Sequence, residues 1–161
     1  ILSFVLPFVK DKLGESEACL DVFDKIEFGE SRFNCFDEKG DIDPTNDETG
    51  FSVKVGLNKI KGFRISLIDD NSNSVVIDVI NGSSPVPSNL RMVRDPVGAY
   101  GTLSWTAAAG GEDFPGAGGQ RSYVADNKYT SAEISAVINN QQICSVADRI
   151  DFTRCTADVT L

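Results

Sequence analysis

Short segments in which apolar and polar residues alternate recur along most of the chain, and they constrain its fold more than any other feature. The clearest alternating runs are 51–57, 63–67, 75–79 and 134–138. A period of two places one face of a strand on a core and the other in water. Turn-forming residues separate the runs, at 70–73, 81–84 and 139–140. Strands punctuated in this way predict a sandwich or barrel rather than a βαβ fold, and we expect a mainly β, Ig-like antiparallel β-sandwich. Residues 20–28 fit a further strand, although Phe23 breaks the alternation.

The first nine residues form an uncharged, almost wholly apolar run, and charged residues begin at Lys10. Apolar residues at helical spacing predict an N-terminal helix over residues 1–17, followed by a head domain over residues 18–161. Pro7 is expected to kink this helix or to mark an early turn, and Gly14 to break it near its end. The face expected to assemble comprises Ile1, Leu2, Val5, Leu6, Val9 and Leu13.

Nine apolar residues are too few to span a bilayer, which requires about 20. A secretory signal peptide is also disfavoured, because no basic segment precedes the run and no small-residue cleavage site follows it. The chain does not begin with Met. We therefore expect an N-terminus made by processing or truncation, and an apolar run that belongs to a longer element covered by a membrane, a partner or other copies.

The overall composition is that of a folded acidic domain. The 161 residues are 41% hydrophobic and 24% charged, with a formal net charge of −9. That charge argues against binding to nucleic acid or to an anionic membrane surface. The chain contains no His, the commonest general base and metal ligand. We therefore expect neither an enzyme nor a cofactor-binding protein.

The four cysteines, Cys19, Cys35, Cys144 and Cys155, allow three disulfide connectivities. The sequence-local pairing of Cys19 with Cys35 and of Cys144 with Cys155 is favoured, because each pair flanks segments that read as adjacent strands. A zinc site is disfavoured because C-x-x-C spacing is missing. Four buried reduced thiols remain the alternative. An even number of cysteines in a strand-rich chain indicates an oxidising, extracytoplasmic location.

The acidic stretch 37–48 invites a calcium interpretation, since Asp37, Asp41, Asp43 and Asp47 carry oxygen ligands. Its spacing does not match an EF-hand loop, and a solvated loop is the favoured interpretation. No metal site is therefore predicted.

Two further features point to the surface of the molecule. Asn81 begins an N-x-S sequon in a predicted turn and is a weak glycosylation site. Tyr100, Trp105 and Phe114 flank a Gly/Ala-rich stretch, where they either contact another subunit or pack in the core. The glycines at 116–119 precede an alternating segment, so a turn before a strand is favoured over a phosphate cradle.

Several segments together resemble archaeal type IV pilin-like proteins. The apolar N-terminal segment runs into Leu-Gly-Glu-Ser-Glu-Ala-Cys at residues 13–19, and Cys35-Phe36 follows. Further similar segments are 61–66, 118–124, 136–139 and the closing segment 144–155. The match is diffuse, covers most of the chain and rests on pattern rather than on a diagnostic motif.

This resemblance implies a subunit made with a short basic leader, a class III signal peptide, that a prepilin peptidase removes. It implies that the N-terminal helix anchors the subunit in the membrane before assembly and then packs with other copies in a helical homopolymer. The chain departs from the family in having nine apolar residues where the family has some twenty. The expected function is thus a structural subunit of an extracellular cell-surface filament, for adhesion or motility. The alternative is a membrane-anchored Ig-like surface binding module.

Overall fold

The alternating segments form strands in the computed structural model, which describes residues 17–31, 33–38, 47–56, 59–80, 89–94, 99–101, 114–115, 118–138 and 142–156. Within this part of the chain the only helix is α1, Glu17–Val22. The strands are β1 Ile26–Phe28, β2 Cys35–Asp37, β3 Glu48–Val55, β4 Gly62–Ile68, β5 Ser74–Ile80, β6 Leu90–Arg94, β7 Ala99–Gly101, β8 Gly119–Asp126, β9 Ser131–Ile138, β10 Gln142–Asp151 and β11 Thr153–Arg154.

The strands form two sheets. The first has the order β11-β2-β3-β8-β6-β7, and β1 also pairs with β3. Strands β1 and β2 share one edge of β3, because β2 pairs with Glu48 and Thr49 while β1 pairs with residues 53–55. The second sheet has the order β10-β9-β4-β5. The mainly β, two-sheet prediction is confirmed, and the described strand pairs are antiparallel except that β11 pairs with β2 in parallel.

The four clearest alternating runs lie in β3, β4, β5 and β9, as predicted. The strand predicted over residues 20–28 is wrong in its first half, because α1 extends to Val22 and only β1 is extended. Cys19 and Val22 are the buried apolar residues of α1. Their spacing of three follows the helical period, which explains why Phe23 interrupted the alternation.

The core fills the space between the two sheets with the inward-facing residues of β3, β4, β8 and β9. Three aromatic rings meet at its centre: the ring of Tyr123 lies 5.5 Å from that of Phe51 and 5.6 Å from that of Phe63. All three side chains are fully buried. Such rings bury large apolar areas and dominate core energetics.

The turn predicted at residues 70–73 is confirmed and connects β4 to β5. The Oδ1 atom of Asp69 accepts hydrogen bonds from the backbone N–H groups of Asn71 and Asn73, both at 2.9 Å. Ser72 has a positive φ of 65°. A carboxylate that accepts a hydrogen bond from the backbone N–H two residues later is characteristic of an Asx turn.

Several predictions fall on residues outside the described part of the chain. The helix predicted over residues 1–17 lies outside it as far as residue 16, and so do all six expected assembly residues. The sequon at Asn81 also lies outside it. Among the helices that the structure does describe, none is long and apolar enough to cross a membrane.

Candidate functional site

The described part of the chain begins at α1, the place where the N-terminal apolar segment joins the β-domain. Cys19 on α1 forms a disulfide with Cys144 on β10, with a Cα–Cα distance of 5.5 Å. Cys19 and Val22 are fully buried and belong to the main core. The N-terminal segment is therefore joined to the domain through a helix that is both packed and covalently fixed.

The second disulfide joins Cys35 on β2 to Cys155, which directly follows β11. The parallel pairing of these strands, in which Thr153 lies opposite Cys35, brings the two cysteines together. Cys35 and Val124 form a small cluster with Phe33 and Cys155, apart from the main core. This bond fastens the end of the described chain to the first sheet.

The prediction of two disulfides is confirmed, but the predicted local pairing is wrong. The physical reason is that sequence neighbours lie in different hydrophobic clusters. Cys19 and Cys144 belong to the core between the sheets, whereas Cys35 and Cys155 belong to the small separate cluster. The bonds consequently join residues 125 and 120 positions apart. Two disulfides are typical of an oxidising environment, extracellular or secreted.

Exposed apolar side chains gather along the chain near the first disulfide. In the described residues, six large apolar side chains are exposed, and four of these lie within four positions of Cys19 or Cys144. These four junction residues are Leu20, Phe23, Ile143 and Val146. Single exposed apolar residues are ordinary, and these four share their nearness along the chain to the first disulfide.

The acidic stretch 37–48 does not behave wholly as the predicted solvated loop. Asp37 is 1% exposed on β2 and lies opposite Glu48, which is 4% exposed on β3. The guanidinium of Arg91 on β6 donates a 2.6 Å hydrogen bond to Glu48, so this end of the stretch is part of the first sheet. Asp47 is exposed, as predicted. Asp41 and Asp43 lie outside the described residues. Within the part of the chain that the structure describes, no group of three or more acidic or Cys side chains is arranged to hold a metal ion.

A polar cleft of about 360 Å³ opens beside β1. Its lining residues are Glu27, Phe28, Gly29, Glu30, Lys54 and Gln120. Glu27, Lys54 and Gln120 lie opposite one another on three neighbouring strands. Sequence reasoning missed this row, because its members are up to 93 positions apart and only strand register brings them together (120 − 27).

The wall of this cleft depends on the loop between β1 and β2. Asn34 accepts a 2.8 Å hydrogen bond from the backbone N–H of Ser52 and donates a 2.6 Å bond to the carbonyl of Gly29. The N–H of Gly29 in turn donates to the carbonyl of Ser52 at 2.9 Å. The terminal amide of Gln120 lies over Gly29, and it would have to move aside if a Cβ were added there. The side chain of Asn34 replaces a missing stretch of strand pairing.

A cluster of charged groups ties β2 to β11 and to the loop between β8 and β9. Glu38 accepts hydrogen bonds from Lys128 and, at 2.6 Å, from Arg154. The ammonium of Lys128 lies 4.8 Å from the centre of the Phe36 ring. The hydrogen bond from Lys128 lowers the pKa of Glu38 below its ordinary 4.5; burial opposes this, and the charges of Lys128 and Arg154 lower it further. The same hydrogen bond raises the pKa of Lys128 above 10.5.

This cluster predicts a definite pH dependence of stability. Because folding lowers the pKa of Glu38, its contribution is complete above about pH 4.5 and is lost as the pH falls through the lowered value. The contribution of Lys128, whose pKa is raised, is complete below about pH 10.5 and is lost as the pH rises further. Urea unfolding at several pH values should therefore show a shallower acid decline in Glu38→Gln than in the parent. Lys128→Met should flatten the same decline, and an unchanged decline in both variants would contradict the assignment.

The aromatic residues beside the Gly/Ala-rich stretch were predicted to form either a subunit contact or part of the core. Phe114 is buried, and its ring stacks on that of Phe63 at 6.2 Å, so for this residue the core alternative is correct. The side chain of Tyr100, and Trp105 as a whole, lie outside what the structure describes. The predicted turn and strand after the glycines are confirmed by Gly118, which has a φ of 77°, and by β8.

Comparison with known proteins adds no family assignment. No protein-family model and no curated protein matches this chain. The resemblance to archaeal type IV pilin-like proteins therefore stays a prediction.

Proposed function

We propose that this chain is a structural subunit of an extracellular filament of the type IV pilus kind, assembled through its N-terminal apolar segment. The observation that supports the proposal is the junction at α1. The apolar run leads into a helix whose Cys19 is bonded to Cys144, beside the exposed junction residues. A filament subunit needs this combination of an apolar assembly segment and a head fixed firmly to it.

The disulfide gives the junction a mechanical role. A force applied to the N-terminal segment acts on Cys19, and the disulfide transmits this force to β10. Strand β10 pairs with β9 over most of its length, so the load spreads into the second sheet. A head held only by packing at α1 would peel away from its assembly segment under the same pull.

Assembly would follow from burial of the apolar segment. The six side chains expected to be buried against neighbouring copies are Ile1, Leu2, Val5, Leu6, Val9 and Leu13. A fully buried aliphatic side chain contributes about 1.5–3 kcal/mol, so several per subunit outweigh the loss of freedom on association. A contact between different surfaces of successive copies does not close, and it produces a fibre.

The test is electron microscopy of the purified chain and of two variants at one position. Leu6→Glu places a charge in the apolar segment and should abolish fibres, whereas Leu6→Met keeps the segment apolar and should retain them. Removal of residues 1–13 should leave a dispersed chain that forms no fibres. Equal thermal unfolding midpoints for both point variants would show that the heads are intact. Fibres formed by the truncated chain would overturn the proposal.

The second candidate is a membrane-anchored Ig-like surface binding module, and the polar cleft beside β1 favours it. Opposite charges and an amide line this cleft, and such groups can bind the polar groups of a ligand. This function predicts a monomer in detergent that binds lipid vesicles through the apolar segment and forms no fibres. Vesicle flotation of the parent chain and of Leu6→Glu, beside the microscopy, distinguishes the two candidates.

A further inference from the structure

Strand β5 is an edge strand without the usual protection against pairing. Among the described strands it pairs only with β4, through seven consecutive residues with no register shift. Its sequence, Ser-Val-Val-Ile-Asp-Val-Ile, contains no Pro, Lys or Arg. Val75 and Val76 are 39% and 55% exposed. Natural proteins usually shorten, bulge or charge such an edge, because its open N–H and C=O groups accept another strand.

The other edges that the structure describes carry this protection. At the opposite edge of the same sheet, β10 has two register shifts, and the carboxylate of Asp148 accepts a 2.9 Å hydrogen bond from the backbone of Phe28 on β1. In the first sheet, the edge strands β1, β7 and β11 are only two or three residues long. Among the edges that the structure describes, this open character is thus specific to β5.

The charge around β5 makes a second copy of the chain a suitable partner. With a net charge of −9, two copies repel each other over most approaches. The single charge on β5 is Asp78, and Arg64 on β4 neutralises it through two hydrogen bonds, of 2.7 and 3.0 Å. The β5 edges of two acidic copies can therefore approach each other without a net charge on either edge.

The residue pattern of β5 is self-complementary. In an antiparallel pair of two β5 strands centred on Ile77, Val75 lies opposite Val79, and Ile77 lies opposite its own equivalent. On the outer face Val76 lies opposite Asp78, so the two carboxylates are diagonal rather than facing. Pairs of β-branched residues directly opposite one another stabilise antiparallel strands. A contact in which one surface meets itself is the usual twofold interface.

We propose that two copies of this chain pair through β5 across a twofold axis at Ile77, joining two four-stranded sheets into one of eight strands. The pairing covers the exposed Val75 and Val76 and supplies partners for the open edge. It does not use the N-terminal segment. It goes beyond the proposed filament function and, in a filament, would join subunits laterally.

Hydrogen exchange of the full-length chain tests this pairing at the strand itself. Raising the protein concentration should slow exchange of the amides in residues 74–80 on the order of tenfold, while exchange in β4 and β9 stays constant. Val76→Lys places a lysine on the edge and should abolish the concentration effect. The matched control is Val146→Lys, a similarly exposed position on β10, which should retain it.

The same measurement in the Leu6→Glu background separates this proposal from filament assembly. Concentration-dependent protection of β5 should persist there even where fibres are lost. Exchange in β5 that is independent of concentration, or protection that survives Val76→Lys, would overturn the pairing. Constant exchange in β4 and β9 shows in each variant that the sheet itself remains folded.

Discussion

Alanine at both Cys19 and Cys144 should lower the free energy of unfolding by about 4–5 kcal/mol. The reason is that this disulfide closes a loop of 125 residues, and the loss of unfolded-chain entropy on cross-linking grows with loop length. Alanine suits both buried sites because it adds no polar group to the core. The effect is a large share of the 5–15 kcal/mol that stabilises a typical domain. Urea unfolding of the purified variant, followed by circular dichroism, measures it.

The matched control is the same change at Cys35 and Cys155, which releases a loop of 120 residues and should cost a similar amount. Thiol titration of the denatured chains tests the pairing itself. Each of these double variants should contain no free thiol, whereas alanine at Cys19 and Cys35 should leave Cys144 and Cys155 without their native partners. A stable Cys144–Cys155 bond with native stability in that last variant would contradict the long-range connectivity.

Phe63→Ala should lower the free energy of unfolding by about 3–5 kcal/mol. Phe63 is fully buried on β4, where its ring contacts those of Phe114 at 6.2 Å and Tyr123 at 5.6 Å. Truncation removes its apolar burial and leaves a cavity between two sheets that cannot close over it. Urea unfolding again gives the value.

Phe23→Ala is the control, because it makes the same chemical change at a side chain that is 39% exposed. Its cost should not exceed about 1 kcal/mol. Equal losses of unfolding free energy in the two variants would contradict this prediction. They would show that the space left by the Phe63 side chain closes after truncation, although Phe63 lies between the two sheets.

The sequence predicted those features that depend on local period and local turn chemistry. The alternation in β3, β4, β5 and β9 and the turn at residues 70–73 required only neighbouring residues, and they were correct. The prediction for the segment from Leu20 to Phe28 failed because its three helical residues, 20–22, and its three extended ones, 26–28, share apolar positions that fit either period. Strand register depends on residues far apart in the sequence. The parallel pair of β2 and β11 and the row of Glu27, Lys54 and Gln120 therefore could not be predicted from local patterns.

The disulfide connectivity has a consequence for how the chain matures. Cys19 and Cys35 emerge early during vectorial synthesis and export, while their native partners follow about 120 residues later. Until then, the two early thiols can bond to each other. Premature oxidation would therefore trap a non-native Cys19–Cys35 bond, which must be exchanged before β10 and β11 dock. Native pairing therefore requires either that Cys19 and Cys35 stay reduced until the later strands follow, or that a bond between them is exchanged.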